Sequence, residues 1–322
     1  MKNLFLLILF FGLIFGAQFV YFENRFLDEK EINFDDISAS IVTIESLDNR
    51  GKSFGSGVII SEDGYIITAF HVLSGNLSTV KISGKSYLAN LIGFDEYADL
   101  AVLKINESNL KHIRFSDDEE LQIGQTVYAI GNPYNLGTSV SRGILSATGR
   151  NFGNPYLNII QTDAAINKGN SGGALINNNG ELIGLSTLIA SASGGSDGVG
   201  FALPSDKVLS ITNEIIKYGK VNRAWLGDFR FRRGFFTPIN TTNRIPALYV
   251  VELNNNSQFT EGLKDGDIII GIKGAEARWN ILLASVNSVT PGEILELKVI
   301  RSDKEIDLKL VTKERPNTPR AL

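Results

Sequence analysis

From Ser38 to about Leu203 the chain is a succession of short β-rich runs broken by glycine and asparagine, and this punctuation restricts the fold more than any other feature. Residues 41–44, 57–60, 65–68, 100–103 and 126–130 are examples, and Ser61, Glu62, Asp63 and Gly64 read as a hairpin turn between two of them. Closely spaced short strands with glycine turns point to β-barrels or sandwiches rather than to alternating β and α units. A helix follows at about 205–218. Val208, Leu209, Ile211, Ile215 and Ile216 fall at helical spacing, Ser205 is placed to cap the start, and Gly219 lies beyond the end. A helix between two β-rich regions is a natural boundary. A second unit then occupies about 222–315, with strands near 247–253, 267–272, 294–300 and 305–311 and a helix near 279–286, the size of a small mixed α/β binding domain.

The N-terminus has a different character. Between Leu4 and Phe22 there is no charged residue and only Gln18 is polar. About 20 apolar residues of helix cross a bilayer core, so 1–22 is read as a transmembrane anchor. A cleaved secretory signal is the competing reading. Gly16 and Ala17 offer small residues for cleavage, but Phe15 stands where a second one is wanted. A lipoprotein route is closed because the chain has no cysteine. Lys2 precedes the span, while Glu23, Asp28, Glu29 and Glu31 follow it, mixed with Arg25 and Lys30. That bias places the body outside the cytoplasm, at the periplasmic face of a bacterial inner membrane. Residues 23–37 are charged and aperiodic and read as a tether.

Composition removes whole classes of chemistry. Without cysteine there is no thiol nucleophile, thiolate zinc site or disulfide. With only His71 and His112, zinc held by three imidazoles is impossible. The net charge of -4, with no block of lysine or arginine, lacks the footprint of a nucleic-acid binder. Neither metal nor cofactor is expected.

Gly169-Asn170-Ser171-Gly172-Gly173 carries the chemistry. It satisfies Gly-x-Ser-x-Gly, the nucleophile elbow of α/β hydrolases, whose order is Ser, then acid, then His. No histidine follows Ser171, so that reading fails on order, whereas His, Asp, Ser is available. His71 follows an apolar strand that can aim an imidazole, while His112 lies in a polar stretch typical of a solvated loop. For the acid, Asp99 opens an apolar strand, where a part-buried carboxylate needs a partner such as an imidazole N–H. Asp95 sits in a more polar context. Asp163 is the stronger rival and is read as a structural group bonding nearby backbone. The backbone N–H groups of Gly169 and Ser171 can converge on an oxyanion.

These residues lie within a wider set: Gly55-Ser56-Gly57-Val58-Ile59-Ile60, Thr68-Ala69-Phe70-His71-Val72, Ala98-Asp99-Leu100-Ala101-Val102-Leu103, the run from Gln161 through Leu175, and Gly200-Phe201-Ala202-Leu203-Pro204. As a set the chain resembles the HtrA (Do-type) serine proteases. The resemblance implies a mostly β chain: a chymotrypsin-like double β-barrel at 38–219, one PDZ domain at 222–315, and assembly as a homotrimer. The apolar N-terminus, Ile130-Gly131-Asn132-Pro133-Tyr134-Asn135-Leu136-Gly137 and room for a single PDZ domain resemble the membrane-anchored, stress-sensing branch. Members of that branch are switched on by C-terminal peptides of misfolded outer-membrane proteins and then cut a membrane-bound anti-sigma factor. Mapped by motif, Tyr134 falls in a loop that helps form the oxyanion geometry, and Arg150 in a sensor loop facing the PDZ domain.

Specificity and peptide capture are also readable. Trypsin-like enzymes carry an acid six positions before the nucleophile, where Ala165 stands here, so cleavage after Lys or Arg is not expected. A small apolar pocket from Ala165 and the 185–189 segment, including Leu185, Thr187 and Leu188, suits small or medium aliphatic residues. The PDZ carboxylate-binding loop would be Trp225, Leu226, Gly227 and Asp228. The family pattern has an aliphatic residue in the fourth place, so Asp228 departs from it and would oppose a peptide carboxylate unless turned outward or offset by Arg230 or Arg232. Thr68-Ala69-Phe70-His71 also lacks the asparagine common before this histidine. Two other classes stand beside the regulated endoprotease: a holding chaperone or general quality-control protease, and a PDZ scaffold on a dead protease fold. The second is disfavoured because every catalytic side chain is present.

Overall fold

The computed structural model describes residues 32–48, 51–75, 77–117, 121–132, 137–150, 158–189, 195–227, 229–239, 241–252 and 262–315. The proposed anchor at 1–22, together with Tyr134 and Asp228, lies outside them. Among the described residues no helix is long and apolar enough to cross a membrane.

Residues 32–37, expected to be the end of a tether, are instead docked. A short helix α1 (Phe34–Ser38) is capped by Asn33, whose side chain accepts from the N–H groups of Asp35 and Asp36. Ile32, Phe34 and Ile37 pack on the core, and Phe34 meets Tyr128 edge-on. Three apolar side chains in six residues outweigh the charge pattern that suggested a free segment.

Six antiparallel strands close the first barrel: β1 (Ile41–Asp48), β2 (Gly51–Ile59), β3 (Tyr65–Ala69), β4 (Leu77–Ile82), β5 (Lys85–Asp95) and β6 (Leu100–Lys104), in the order β1-β2-β3-β6-β5-β4. Six more close the second: β7 (Thr126–Gly131), β8 (Ser139–Arg150), β9 (Ile159–Thr162), β10 (Ala174–Ile176), β11 (Leu182–Ile189) and β12 (Gly200–Pro204), in the order β10-β11-β12-β9-β8-β7. The hairpin at 61–64 forms as expected. Ser61 Oγ accepts the Tyr65 N–H at 3.0 Å and donates to Asp63 Oδ1 at 2.6 Å, and Gly64 takes the positive φ of 98° that the turn requires.

Strands such as β3 read as continuous apolar runs because both of their faces are buried. Ile66 points into the first barrel with Val42, Ile44, Ile59 and Leu103. Its neighbour Ile67 points the other way, into a layer between the barrels with Val58, Leu100, Ile130, Ala174 and Leu185. Burying each such side chain stabilises the fold by about 1.5–3 kcal/mol, so an inter-barrel layer of this kind fixes the two barrels against each other. The second barrel has its own interior around Val127, Leu145, Ile160, Leu175 and Ile183.

Helix α2 (Ser205–Tyr218) lies on the inter-barrel layer through Val208, Ile211 and Ile215, while Leu209 and Ile216 are exposed, so its apolar stripe is narrower than the sequence suggests. Gly219 ends it in the left-handed conformation at φ 74°. Ser205 does not cap the start. Pro204 occupies that position with no side-chain bond, and Ser205 is the first helical residue. After the helix, Arg223 forms an ion pair with Asp95 of the first barrel, and Arg315 stacks 3.7 Å from the Tyr97 ring centroid.

The second unit holds β13 (Ala224–Trp225), β14 (Phe229–Phe236), β15 (Ile245–Glu252), β16 (Ile268–Ile272), β17 (Ala275–Glu276), helix α3 (Trp279–Asn287), β18 (Ile294–Arg301), β19 (Lys304–Val311) and β20 (Lys313–Glu314). Its sheet runs β14-β15-β16-β18-β19, with β14 on one edge. The core joins Phe229, Leu248, Ile269, Leu282, Leu297 and Leu310. Buried Asp267 accepts two hydrogen bonds from Arg301, each 2.8 Å, which satisfies a carboxylate that burial alone would penalise.

Candidate active site

His71 and Asp99 come from adjacent strand ends. β3 and β6 pair through Ala69 and Leu100. His71 sits in a single 3-10 turn just after β3, and Asp99 precedes β6 with φ 53°, a left-handed position that Asp tolerates better than most residues. This twist turns the carboxylate back over the turn. Asp99 Oδ1 accepts the His71 backbone N–H at 2.9 Å, and Oδ2 lies 2.7 Å from Nδ1. An ionised carboxylate only accepts, so Nδ1 carries the proton and Nε2 is left with its lone pair. The His71 side chain is 48% exposed and that of Asp99 20%, so the ring faces solvent while its orienting acid is part-buried. The hydrogen bond to Asp99 raises the His71 pKa above its usual value, against the opposing effect of burial and with further help from the Asp99 charge.

The rival groups are engaged elsewhere. Asp163 Oδ1 accepts the Ile144 N–H at 2.7 Å, the structural backbone role read for it from sequence. Asp95 is buried, paired with Arg223 and bonded to the Tyr97 N–H. His112 lies exposed at the rim of a cleft with Asn33 and Asn178, alongside the docked N-terminal residues.

The serine loop is brought to the histidine from the other barrel by close backbone approach. A Cβ on Gly172 would stand 2.2 Å from the Ser56 carbonyl oxygen, 2.3 Å from Thr68 Oγ1 and 2.8 Å from Ala69 N, two residues before His71. Only glycine permits that contact, and Gly172 also has φ 81°. Ser56 N–H donates to the Ser171 carbonyl at 2.8 Å, tying β2 to Ser171 itself.

Three of the five N–H groups in residues 169–173 are bonded within the protein. Asn170 N–H donates to the Asn167 carbonyl at 3.0 Å, Gly172 N–H to Ser186 at 2.7 Å, and Gly173 N–H to Asn170 at 2.9 Å. The N–H groups of Gly169 and Ser171 donate to no protein acceptor among the described residues. Two unpaired donors on either side of Asn170, beside a serine, are what an oxyanion site requires.

Of the residues expected to line the specificity pocket, Ala165 is half-buried and its carbonyl accepts the Ser141 hydroxyl at 2.8 Å. The Leu185 side chain is fully buried in the layer between the barrels. Thr187 is buried at the bulge where β11 and β12 shift register, and the Leu188 side chain lies outside the described set. Arg150 ends β8 exposed, with Nε donating to Gln161 Oε1 at 3.2 Å. In the second unit Trp225 pairs with Lys313, Leu226 is buried, and Gly227 adopts φ 109° with its carbonyl accepting the Phe229 N–H.

Two six-stranded barrels with a His–Asp pair on one and a glycine-walled serine loop on the other define the chymotrypsin-like class of serine protease folds. Residues 55–185 match the trypsin-like peptidase domain family. A probable periplasmic serine protease, do/HhoA-like, from Haemophilus influenzae is 38% identical over 282 residues, 83% of this chain and 60% of that protein. The periplasmic serine endoprotease DegP of Escherichia coli is 39% identical over 268 residues, 80% of this chain and 56% of its own length. The chain thus spans little more than half of these curated relatives. Among solved structures, the HtrA-type protease AlgW with a tripeptide matches at 34% identity and TM-score 0.76, covering 88% of this chain and 98% of that one. A serine endoprotease from Yersinia pestis matches at 32% identity and TM-score 0.73, covering 88% and 99%. The chain belongs to the HtrA-type serine protease family.

Proposed function

We propose that this chain is a regulated periplasmic serine endoprotease acting through His71, Asp99 and Ser171. The observation that carries the reading is the pair of unpaired N–H groups, at Gly169 and Ser171, in a loop whose neighbouring peptides are bonded. Ser171 Oγ attacks the scissile carbonyl, and His71 Nε2 takes the serine proton. Asp99 holds the ring in the required tautomer and stabilises the imidazolium. The two N–H groups receive the oxyanion, the amine leaves with the proton from His71, and water then attacks the acyl-enzyme by the same route. Ala165 leaves no acid for Lys or Arg, so small or medium aliphatic residues occupy the cleaved position.

Residues 222–315 serve as a PDZ domain that captures peptide C-termini. The turn at Leu226 and Gly227 next to the open edge of β14, with Phe231 and Trp279 in ring contact at 6.0 Å, supports a strand-adding peptide site. The AlgW relatives were solved with a tripeptide and a decapeptide. Gly149 and Asn158, flanking the Arg150 segment, line one cleft with Asn280, Ala284 and Asn287 of the second unit, which gives bound peptide a route to the protease. On this reading Tyr134 and Arg150 transmit the switch, a homotrimer is the working form, and residues 1–22 anchor it in the bacterial inner membrane. The substrate is a membrane-anchored anti-sigma factor.

The test is turnover of an internally quenched peptide by the full chain in detergent, with and without peptides ending in free apolar C-termini. Turnover that rises with those peptides and disappears in Ser171→Ala supports the proposal. Turnover retained by Ser171→Ala contradicts it.

A further inference from the structure

We propose that Ser56, on β2 of the first barrel, is a positioning residue that holds the oxyanion-binding conformation of the 169–171 loop; the proposal rests on the reading of Ser171 as nucleophile. Ser56 is fully buried and lies 113 residues from the loop in sequence. Its Oγ donates to the Gly169 carbonyl at 2.6 Å, and its backbone N–H donates to the Ser171 carbonyl at 2.8 Å. One residue therefore holds two carbonyls of the nucleophile loop from across the inter-barrel cleft.

The consequence follows from peptide planarity. A carbonyl and the N–H of the next residue point in opposite directions, so fixing one aims the other. The peptide joining Gly169 to Asn170 is held at its oxygen by Ser56 Oγ and at its N–H by Asn167. The peptide joining Ser171 to Gly172 is held at its oxygen by the Ser56 N–H and at its N–H by Ser186. With both peptides clamped, the intervening Ser171 N–H has little freedom to rotate from the site. Gly169, with φ 96°, is the residue whose backbone could otherwise swing most cheaply. The hydroxyl acts where the loop is least constrained.

Ser56 Oγ also accepts the Asn132 N–H at 2.8 Å, and Asn132 Oδ1 accepts the Gly137 N–H at 2.8 Å. Asn132 Nδ2 donates to Thr43 on β1. The hydroxyl is therefore oriented by one loop while it holds another. Its O–H donates to Gly169 while a lone pair takes the Asn132 N–H, so the hydroxyl serves both loops at once. The space is closed as well: a Cβ on Gly131 would come within 2.9 Å of Ser56 Oγ.

Ser56→Ala keeps the backbone bond to Ser171 and removes both side-chain bonds, the one given to Gly169 and the one accepted from the Asn132 N–H. Its expected effect is a fall in kcat of about 10–100-fold, less than the 10²–10³ for outright deletion of an oxyanion donor. KM should stay within about twofold, and the Ki of a peptide boronate, which forms a tetrahedral adduct on the serine, should rise in parallel with the fall in kcat. Ser56→Cys, which fills the space with a weaker donor, should move kcat and Ki in the same direction and decides the matter if the alanine variant does not fold. Thermal unfolding of each variant counts the folded fraction. A kcat within twofold of wild type, or losses in kcat and boronate affinity that only track that fraction, overturns the role of Ser56. Wild-type protein without turnover or boronate inhibition would instead overturn the nucleophile reading, and this proposal with it.

Discussion

One carboxylate, Asp99, holds His71 at two points, taking the backbone N–H on Oδ1 and the ring N–H on Oδ2. The ring's tilt and its tautomer are thereby set by the same group. Asp99→Asn keeps a residue that tolerates φ 53° but offers an amide where an acceptor is needed. Folding should be nearly unchanged while kcat falls by about 10⁴, the cost of the wrong tautomer in this type of triad. Steady-state kinetics beside a thermal melt checks both halves.

The same hydrogen bond sets the pH response. His71 must be neutral to act as base, and Asp99 raises its pKa. Peptidase kcat/KM should therefore rise with pH, with a midpoint above the about 6.5 of an unperturbed histidine. Residual activity in Asp99→Asn should show a midpoint displaced to lower pH.

Gly172→Ala forces a Cβ against Ser56 O, Thr68 Oγ1 and Ala69 N, all on the first barrel. Overpacking of this kind costs about 1–3 kcal/mol, and the positive φ adds strain. The contact joins the Ser171 loop to the strand that leads to His71, so denaturant midpoint and kcat should fall together.

Much of the site was legible because the chain offers so few choices. Two histidines and the order His, Asp, Ser left His71 and Ser171 with little competition, and Asp99 stood beside an apolar strand. The barrels were legible as runs like 65–68, whose two buried faces leave no polar alternation. Ser56 was not, because Gly55-Ser56-Gly57 reads as strand backbone and its bonds to Gly169 and Ser171 exist only once the barrels meet. The place of Leu185 in the layer between the barrels was not legible either, since both faces of β11 are buried and tertiary packing decides which side each residue takes. Strand β14 went unread although Phe229, Phe231, Arg230 and Arg232 alternate, because an arginine-rich edge strand looks like a loop when judged by hydrophobicity.

Arg223→Ala probes the attachment between the units. It strands the Asp95 carboxylate, 3% exposed, without its cation. Breaking one side of a buried pair costs about 3–5 kcal/mol, and the Asp95→Ala, Arg223→Ala double variant should recover a large part of it. Chemical denaturation of the two single variants and the double variant measures the coupling.

The central claim is that Ser171 is a nucleophile activated by His71. It is tested most directly by intact-mass spectrometry of the full chain treated at neutral pH with a fluorophosphonate, in the presence of activating C-terminal peptides, with the adduct mapped by digestion. A single adduct on Ser171, lost in His71→Ala, is the expected result. No adduct, or one on another residue while Ser171→Ala still turns over peptide, would contradict it.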